Sequence, residues 1–291
     1  MGSGPLARGR DRTLVLIHGM WSRPHVWKNF KEFFETRGYR VVTPLLRHHD
    51  IEPGMEPHPQ LGEVSLVHYA DDLETEIRAL GCRPFVIGHS MGGVLAQVLA
   101  ERGVTRGAAL LASAHCAPVW AFDTNLIRIF GRLMMRQGFW KEPQLPRYDL
   151  LRWGALNGFE EQEARDLYAS LIPESGRCLF ELAFWYLDRN RAALVDAEKV
   201  SCPLLFITGA EDRLTSPQLG ARTARYYGAK ARFELKQGRG HWLPSEPGWE
   251  AIAARTAHFF ENEAPLFDAG ADAAEAAQTR WRPRSGVVNP A

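Results

Sequence analysis

What this chain has little of narrows it first. Its 291 residues include only 4 cysteines, Cys82, Cys116, Cys178 and Cys202, widely spaced and without a C-x-x-C pair. That pattern speaks against a disulfide framework, a zinc ribbon or a dithiol redox site, and it fits a reduced, cytoplasmic compartment. Net charge is also scarce. Lys+Arg at 35 against Asp+Glu at 34 leave a formal +1, so no global field recruits nucleic acid or an anionic membrane. Long apolar runs are missing. Leu14-Val15-Leu16-Ile17 is far too short for a signal core or a membrane span, so stable membrane insertion is not expected. Leu6 stands where a myristoylation signal needs Ser or Thr. No internal repeat is visible. At 45% hydrophobic and 24% charged, the composition is that of an ordinary globular protein, with length for one large α/β domain or two small ones.

What is present is an alternation. Short apolar runs of strand character fall at 12–18, 39–46, 84–89 and 107–114. Between them, helical spacing runs over 24–37 (Val26, Trp27, Phe30, Phe33 and Phe34, stopped by Gly38), 64–80 and 91–102, and 47–62 reads as a Pro-, Gly- and His-rich loop. This order implies an α/β fold, a mostly parallel sheet with helices on both faces. The rhythm breaks from His115 to Lys199, which reads as helices over 125–138, 150–157, 160–171 and 179–188. It resumes with strands at 203–209 and 232–236 and helices at 216–227 and 247–263. The expected organisation is therefore a core of 12–114 and 200–263 with a helical cap, 115–199, inserted between two strands. Residues 264–291, Ala- and Arg-rich with Pro283 and Pro290, read as a flexible tail.

The chemistry gathers where strands end. Phe85-Val86-Ile87 leads into Gly88-His89-Ser90-Met91-Gly92, and a helical segment follows. This is the G-x-S-x-G pattern of a nucleophile elbow, in which a serine at the tip of a sharp strand-to-helix turn stands clear of the sheet. A serine hydroxyl needs a base, imidazole suits neutral pH, and the imidazole needs a carboxylate to fix its tautomer. Glu211-Asp212 and Gly240-His241 close the last two strands, so Ser90, Asp212 and His241 supply nucleophile, acid and base in that order. Asp123, after the preceding strand, is the alternative acid. The backbone N–H groups of Met20, after His18-Gly19, and of Met91 are placed to form an oxyanion hole.

His18-Gly19-Met20-Trp21, Gly88-His89-Ser90-Met91-Gly92-Gly93, Gly209-Ala210-Glu211-Asp212-Arg213 and Gly240-His241-Trp242-Leu243 resemble, in order, motifs of the α/β-hydrolase fold, in enzymes of the lysophospholipase-like or carboxylesterase-like kind. The resemblance runs from about Arg12 to Glu263. Pro173-Glu174-Ser175-Gly176-Arg177 and Glu246-Pro247-Gly248-Trp249 resemble bacterial members of that family. It implies Ser90, Asp212 and His241 as the triad, the Met20 and Met91 amides as the oxyanion hole, and no cofactor. It departs at the start, where no room precedes Arg12 for an opening pair of antiparallel strands, so about six strands are expected.

Other residues carry weaker expectations. His89 and His258 read as structural. His48-His49-Asp50, with His58 and His68, fits no zinc spacing and reads as a loop at the pocket rim rather than a metal site. Arg128, Arg132 and Arg136 share one helix face, either plainly solvated or a basic lid toward an acidic head group. Glu174 and Arg177 read as a pair holding the cap, or as reaching into the site. Cap aromatics suggest an apolar substrate pocket: Trp120, Phe130 and Trp185 with Trp21 and Trp242 from the core, and Phe122, Phe139, Trp140 and Phe184 around them. The expected activity is metal-free cleavage of carboxylic esters of small to medium apolar substrates. Thioester, lactone or amide hydrolysis, and cofactor-free lyase or perhydrolase chemistry, can use the same triad. A non-catalytic binding member would be expected to lack a triad residue, and none is missing.

Overall fold

The computed structural model describes residues 12–120 and 123–265. Phe122 and the chain from 266 onward, most of the expected tail, lie outside the described residues. The tail does not begin at 264, because Ala264 is buried at the end of the terminal helical segment.

In chain order the strands are β1 (Thr13–Ile17), β2 (Arg40–Val42), β3 (Phe85–His89), β4 (Gly107–Leu111), β5 (Pro143–Gln144), β6 (Glu174–Ser175), β7 (Leu204–Gly209) and β8 (Ala231–Lys236). Six of them form a parallel sheet in the order β2-β1-β3-β4-β7-β8. Every residue of β1, β3, β4 and β7 is buried, which is why these segments read as unbroken apolar runs instead of alternating ones. β2 is shorter than its apolar run suggests. Pro44 has no N–H to donate, and the ladder stops at Val42.

The strand order reverses once. From β1 the chain moves outward to β2, then crosses back to β3 on the other side of β1 and continues in that direction to β8. With right-handed crossovers, that reversal puts α1 (Lys28–Glu35) on one face and α2 (Leu66–Ala79), α3 (Met91–Glu101) and α8 (Pro217–Tyr226) on the other. The last helix, α9 (Trp249–His258), joins α1, with the Phe30 and Trp249 rings 6.1 Å apart. Between β1 and β3 the crossovers diverge, leaving a crevice at the carboxyl ends of these two neighbouring strands. His18-Gly19-Met20 and Ser90 follow those ends directly.

Residues between β4 and β7 form α4 (Thr124–Met134), α5 (Tyr148–Gly154), α6 (Glu161–Ala169) and α7 (Gly176–Ala183), as the helical spacing suggests. Two differences stand out. β5 and β6 pair antiparallel over two residues each, too short to leave a period in the sequence. α7 starts three residues earlier than its apolar spacing implies, because Ser175 Oγ accepts the Arg177 and Cys178 amides and nucleates the helix there.

Buried polar groups fasten this insertion to the core. Glu174 accepts from Tyr69 Oη (2.7 Å), the Ser175 amide (2.6 Å) and His49 Nε2 (3.1 Å). His49 Nδ1 meets the Arg47 carbonyl at 3.0 Å, so both ring nitrogens face acceptors. Burial pulls the His49 pKa down, but the charge and hydrogen bond of Glu174 outweigh it and the net shift is upward. Arg177 binds Glu181 (2.7 Å) and Asp188 (2.8 Å), while Glu181 also takes the Ser65 hydroxyl and the Leu66 amide. Glu174 and Arg177 thus have separate partners and do not pair with each other. The remaining histidines of this region divide similarly: His48 stacks on His58 at 3.8 Å, and His68, on α2, accepts the Ser65 amide through Nδ1.

Candidate active site

Ser90 occupies a conformation that a side chain rarely takes, φ 54° and ψ −118°. Such backbone costs on the order of 1–3 kcal/mol and persists only where its surroundings enforce it. Here the Ser90 amide donates to Leu111 O (3.1 Å), and its carbonyl accepts from Gly93 (2.9 Å) and Ala114 (3.0 Å). The flanking glycines are a steric requirement. A Cβ on Gly88 would run into the Gly92 carbonyl, and one on Gly92 into the carbonyls of Ile17 and His18. The strand, the helix and the end of β1 therefore meet backbone to backbone. The Ser90 hydroxyl caps no amide of α3, and Ser90 lines a cavity with Met20 and Met91. Neither the Met20 nor the Met91 amide donates to a backbone carbonyl in the turns and loops described.

Asp212 and His241 are brought together. Asp212 follows β7, and its Oδ1 accepts the Leu214 and Thr215 amides, each at 2.8 Å, in a turn that fixes the carboxylate. Its Oδ2 lies 2.9 Å from His241 Nδ1, both side chains almost fully buried. The carboxylate therefore makes Nδ1 the protonated nitrogen and leaves Nε2 as the basic one. Asp123 does something else: it caps α4, accepting the Asn125 amide at 2.8 Å.

Three neighbours support this pair, and of these only His89 had a reading from sequence, as a structural residue. Thr215 Oγ1 lies 2.7 Å from Asp212 Oδ2 and 2.9 Å from the Ala112 carbonyl, bracing the carboxylate from β4. The only sequence hint is a Thr three residues after the acid. His89 Nε2 donates to the His241 carbonyl at 3.0 Å, tying the elbow to the histidine loop. Burial holds the His89 pKa well below its usual value, so the ring is neutral. Burial likewise brings His18 to about 3, with Nδ1 donating to Gly19 O at 3.0 Å.

The third is Glu246, buried behind the histidine loop. Both carboxyl oxygens lie 3.1 Å from the Gly240 amide. Burial raises its pKa from 4.5 to about 7. A carboxyl whose folded pKa is raised binds its proton more tightly in the native state. Its stabilising contribution is present below about 4.5 and is lost as pH rises through the folded value of about 7. Glu246→Gln keeps an acceptor for Gly240 and removes the titration. The variant should match wild type in urea unfolding near pH 4 and exceed it by up to about 3 kcal/mol at pH 8. Equal stability of the two proteins at pH 8 would show that this carboxyl ionises without penalty.

The aromatics anticipated around a substrate divide into three groups. Trp21 and Phe130 line the Ser90 cavity, stacked with ring centroids 6.1 Å apart. Trp120 and Trp185 do not; they wall a separate outer groove. Trp242, 2% exposed, packs behind the site, 5.4 Å from the His89 ring, because its neighbour His241 takes the forward direction. Most of the remaining cavity wall is aliphatic, with Leu126, Met134, Leu179 and Leu182 from the insertion and Leu214 and Leu219 from the core. Of the three arginines, Arg128 and Arg132 are on α4 and Arg136 lies past its end: Arg128 lies over the Trp153 ring, Arg136 pairs with Glu142, and Arg132 is exposed.

A serine on a strained elbow at the switch point of a parallel sheet, with the last two strands ending in Asp212 and His241, defines the α/β-hydrolase class of folds. The chain belongs to the alpha/beta hydrolase family, whose model matches residues 14–284. It is similar in fold to a monoacylglycerol lipase from Paleococcus ferrophilus (18% identity, 85% of this chain and 93% of that one, TM-score 0.61). It is likewise similar to a pyrethroid hydrolase from Sphingobium faniae (18%, 87% and 98%, 0.62) and to a hydrolase from Oleispira antarctica (20%, 88% and 93%, 0.62). The protein is a hydrolase. Among the described residues no helix is long and apolar enough to cross a membrane.

Proposed function

We propose that this hydrolase cleaves carboxylic esters of small to medium apolar substrates through an acyl-enzyme on Ser90. The observation that carries the reading is the buried Asp212–His241 contact of 2.9 Å beside a largely apolar cavity lined by Ser90. Ser90 Oγ attacks the ester carbonyl, and a C–O bond forms as the hydroxyl proton passes to His241 Nε2. Asp212 Oδ2 holds Nδ1–H and offsets the charge of the imidazolium. The oxyanion lies toward the Met20 and Met91 amides, each such donor contributing on the order of 3 kcal/mol in the transition state. Collapse breaks the bond to the leaving oxygen, which takes the proton from His241. Water then repeats the attack on the acyl-enzyme, releasing the acid and restoring Ser90.

The cavity favours an uncharged, apolar group. Its volume of about 70 Å³ leaves room for roughly five waters, so a short acyl group fills it. Each added methylene gains about 0.8 kcal/mol while room remains, or about fourfold in kcat/KM. From p-nitrophenyl acetate to the butyrate, kcat/KM should climb by about that step for each carbon. A flat profile over this range, with turnover present, would mean that the acyl group lies elsewhere.

A further inference from the structure

The aromatics that miss the Ser90 cavity belong to a second feature. Trp120, Ile127, Gly131, Phe184, Trp185 and Tyr186 wall an outer groove with about 210 Å³ of comparable space, three times that of the inner cavity. The two adjoin, with His115, Leu126, Met134 and Ala183 lining both. The outer wall leaves apolar surface in water: Trp120 is 52% exposed, Ile127 61% and Tyr186 50%. Trp120 lies against Trp185 and Tyr186, with centroid distances of 4.8 and 5.1 Å, so the exposed rings form one patch. Contiguous apolar surface of this kind on a soluble fold marks a binding site. His115, which both spaces share, is uncharged at neutral pH, since burial lowers its pKa to about 4. Asp123 also lines the groove, and its carboxylate accepts the Asn125 amide.

We infer that the outer groove is a second substrate subsite, which takes the distal part of an extended apolar chain whose ester end reaches Ser90 past Leu126 and Met134. This rests on the ester-hydrolase reading for the reaction, although the groove can bind an apolar chain without it. The inner cavity accommodates a short group on its own. A longer chain needs further apolar room, and the groove that adjoins the cavity across Leu126 and Met134 offers it. The chemistry is the same whether the chain sits on the acyl or the alcohol side.

Gly131 offers a clean way to test the groove. It faces the groove and not the inner cavity, and a Cβ there meets only Ile127 Cγ2, at an ordinary 3.4 Å. Gly131→Phe also replaces a poor helix former, so α4 should hold. The variant is expected to lower kcat/KM for dodecanoyl esters by about tenfold, roughly two methylenes no longer buried, and to leave acetyl and butyryl esters unchanged. Ile127→Glu, at an exposed position, should act in the same direction by placing a charge in the groove. A p-nitrophenyl series of growing acyl length, set beside a series of alkyl acetates, tells which side carries the chain. Binding of dodecanoate to the Ser90→Ala protein, read from tryptophan fluorescence, is measured in parallel and should be lost in Gly131→Phe. Turnover of short esters with identical long-chain rates in all variants would overturn the subsite. Unchanged dodecanoate binding in Gly131→Phe would do the same. Groove-dependent binding without turnover of any ester would refute the ester reading and leave the subsite standing.

Discussion

If the proposed ester cleavage holds, Ser90→Ala should abolish it, with a loss on the order of 10⁶ in kcat, as removing the nucleophile does in triad serine hydrolases. Labelling by a fluorophosphonate should vanish with it. The fold should survive. Alanine keeps the Cβ, and the backbone contacts of the elbow, to Leu111 O, Gly93 N and Ala114 N, do not involve the hydroxyl. The strain at φ 54° therefore remains in the variant. Ser90→Gly should relieve it, and an inactive glycine variant more stable than the alanine one would identify the strain as a cost the wild type bears at this position. Persistent labelling of folded Ser90→Ala would remove Ser90 as the nucleophile.

Asp212→Asn should come next in effect, at about 10⁴ in kcat. The reason is hydrogen-bond polarity. Oδ1 already accepts two amides, so an asparagine keeps its carbonyl there and turns its NH₂ toward His241. Nδ1 must then accept, Nε2 carries the proton, and the imidazole can no longer take one from Ser90. Asp123→Asn should be nearly neutral, because asparagine caps a helix as well as aspartate and Asp123 is engaged at the start of α4. Steady-state rates on a short p-nitrophenyl ester separate the two. A large loss in Asp123→Asn with little in Asp212→Asn would transfer the acid role to the β4–α4 connection.

The core was legible where chemistry and local geometry coincide. β1, β3, β4 and β7 are buried on both faces, so their apolar runs mark them without help from periodicity. The elbow leaves a trace because only glycine fits where Gly88 and Gly92 meet backbone. Asp212 and His241 can be picked out because each follows a strand of one sheet, and parallel strands bring their carboxyl ends to the same side. The insertion was legible only as helices. Its partners, such as Glu174 with His49 and Tyr69 or Glu181 with Ser65, are more than a hundred residues apart, and no local pattern encodes such pairings.

By itself, then, the sequence determined the class of fold, the order of its strands along the chain and the three side chains at the strand ends. Local constraints write these directly into residue type: burial on two faces, a turn that excludes side chains, an aspartate and a histidine each following a strand. Only the tertiary structure decided which aromatics face Ser90. Trp21 and Phe130 do, Trp120 and Trp185 wall an outer groove, and Trp242 lies behind the histidine. It also decided that Thr215, His89 and Glu246 brace the Asp212–His241 pair. An apolar ring contributes much the same burial energy in a pocket wall as in a core, and a buried polar group needs a partner wherever the chain can supply one. Residue type therefore says that such groups will be covered, and the packing of the insertion on the sheet says by what.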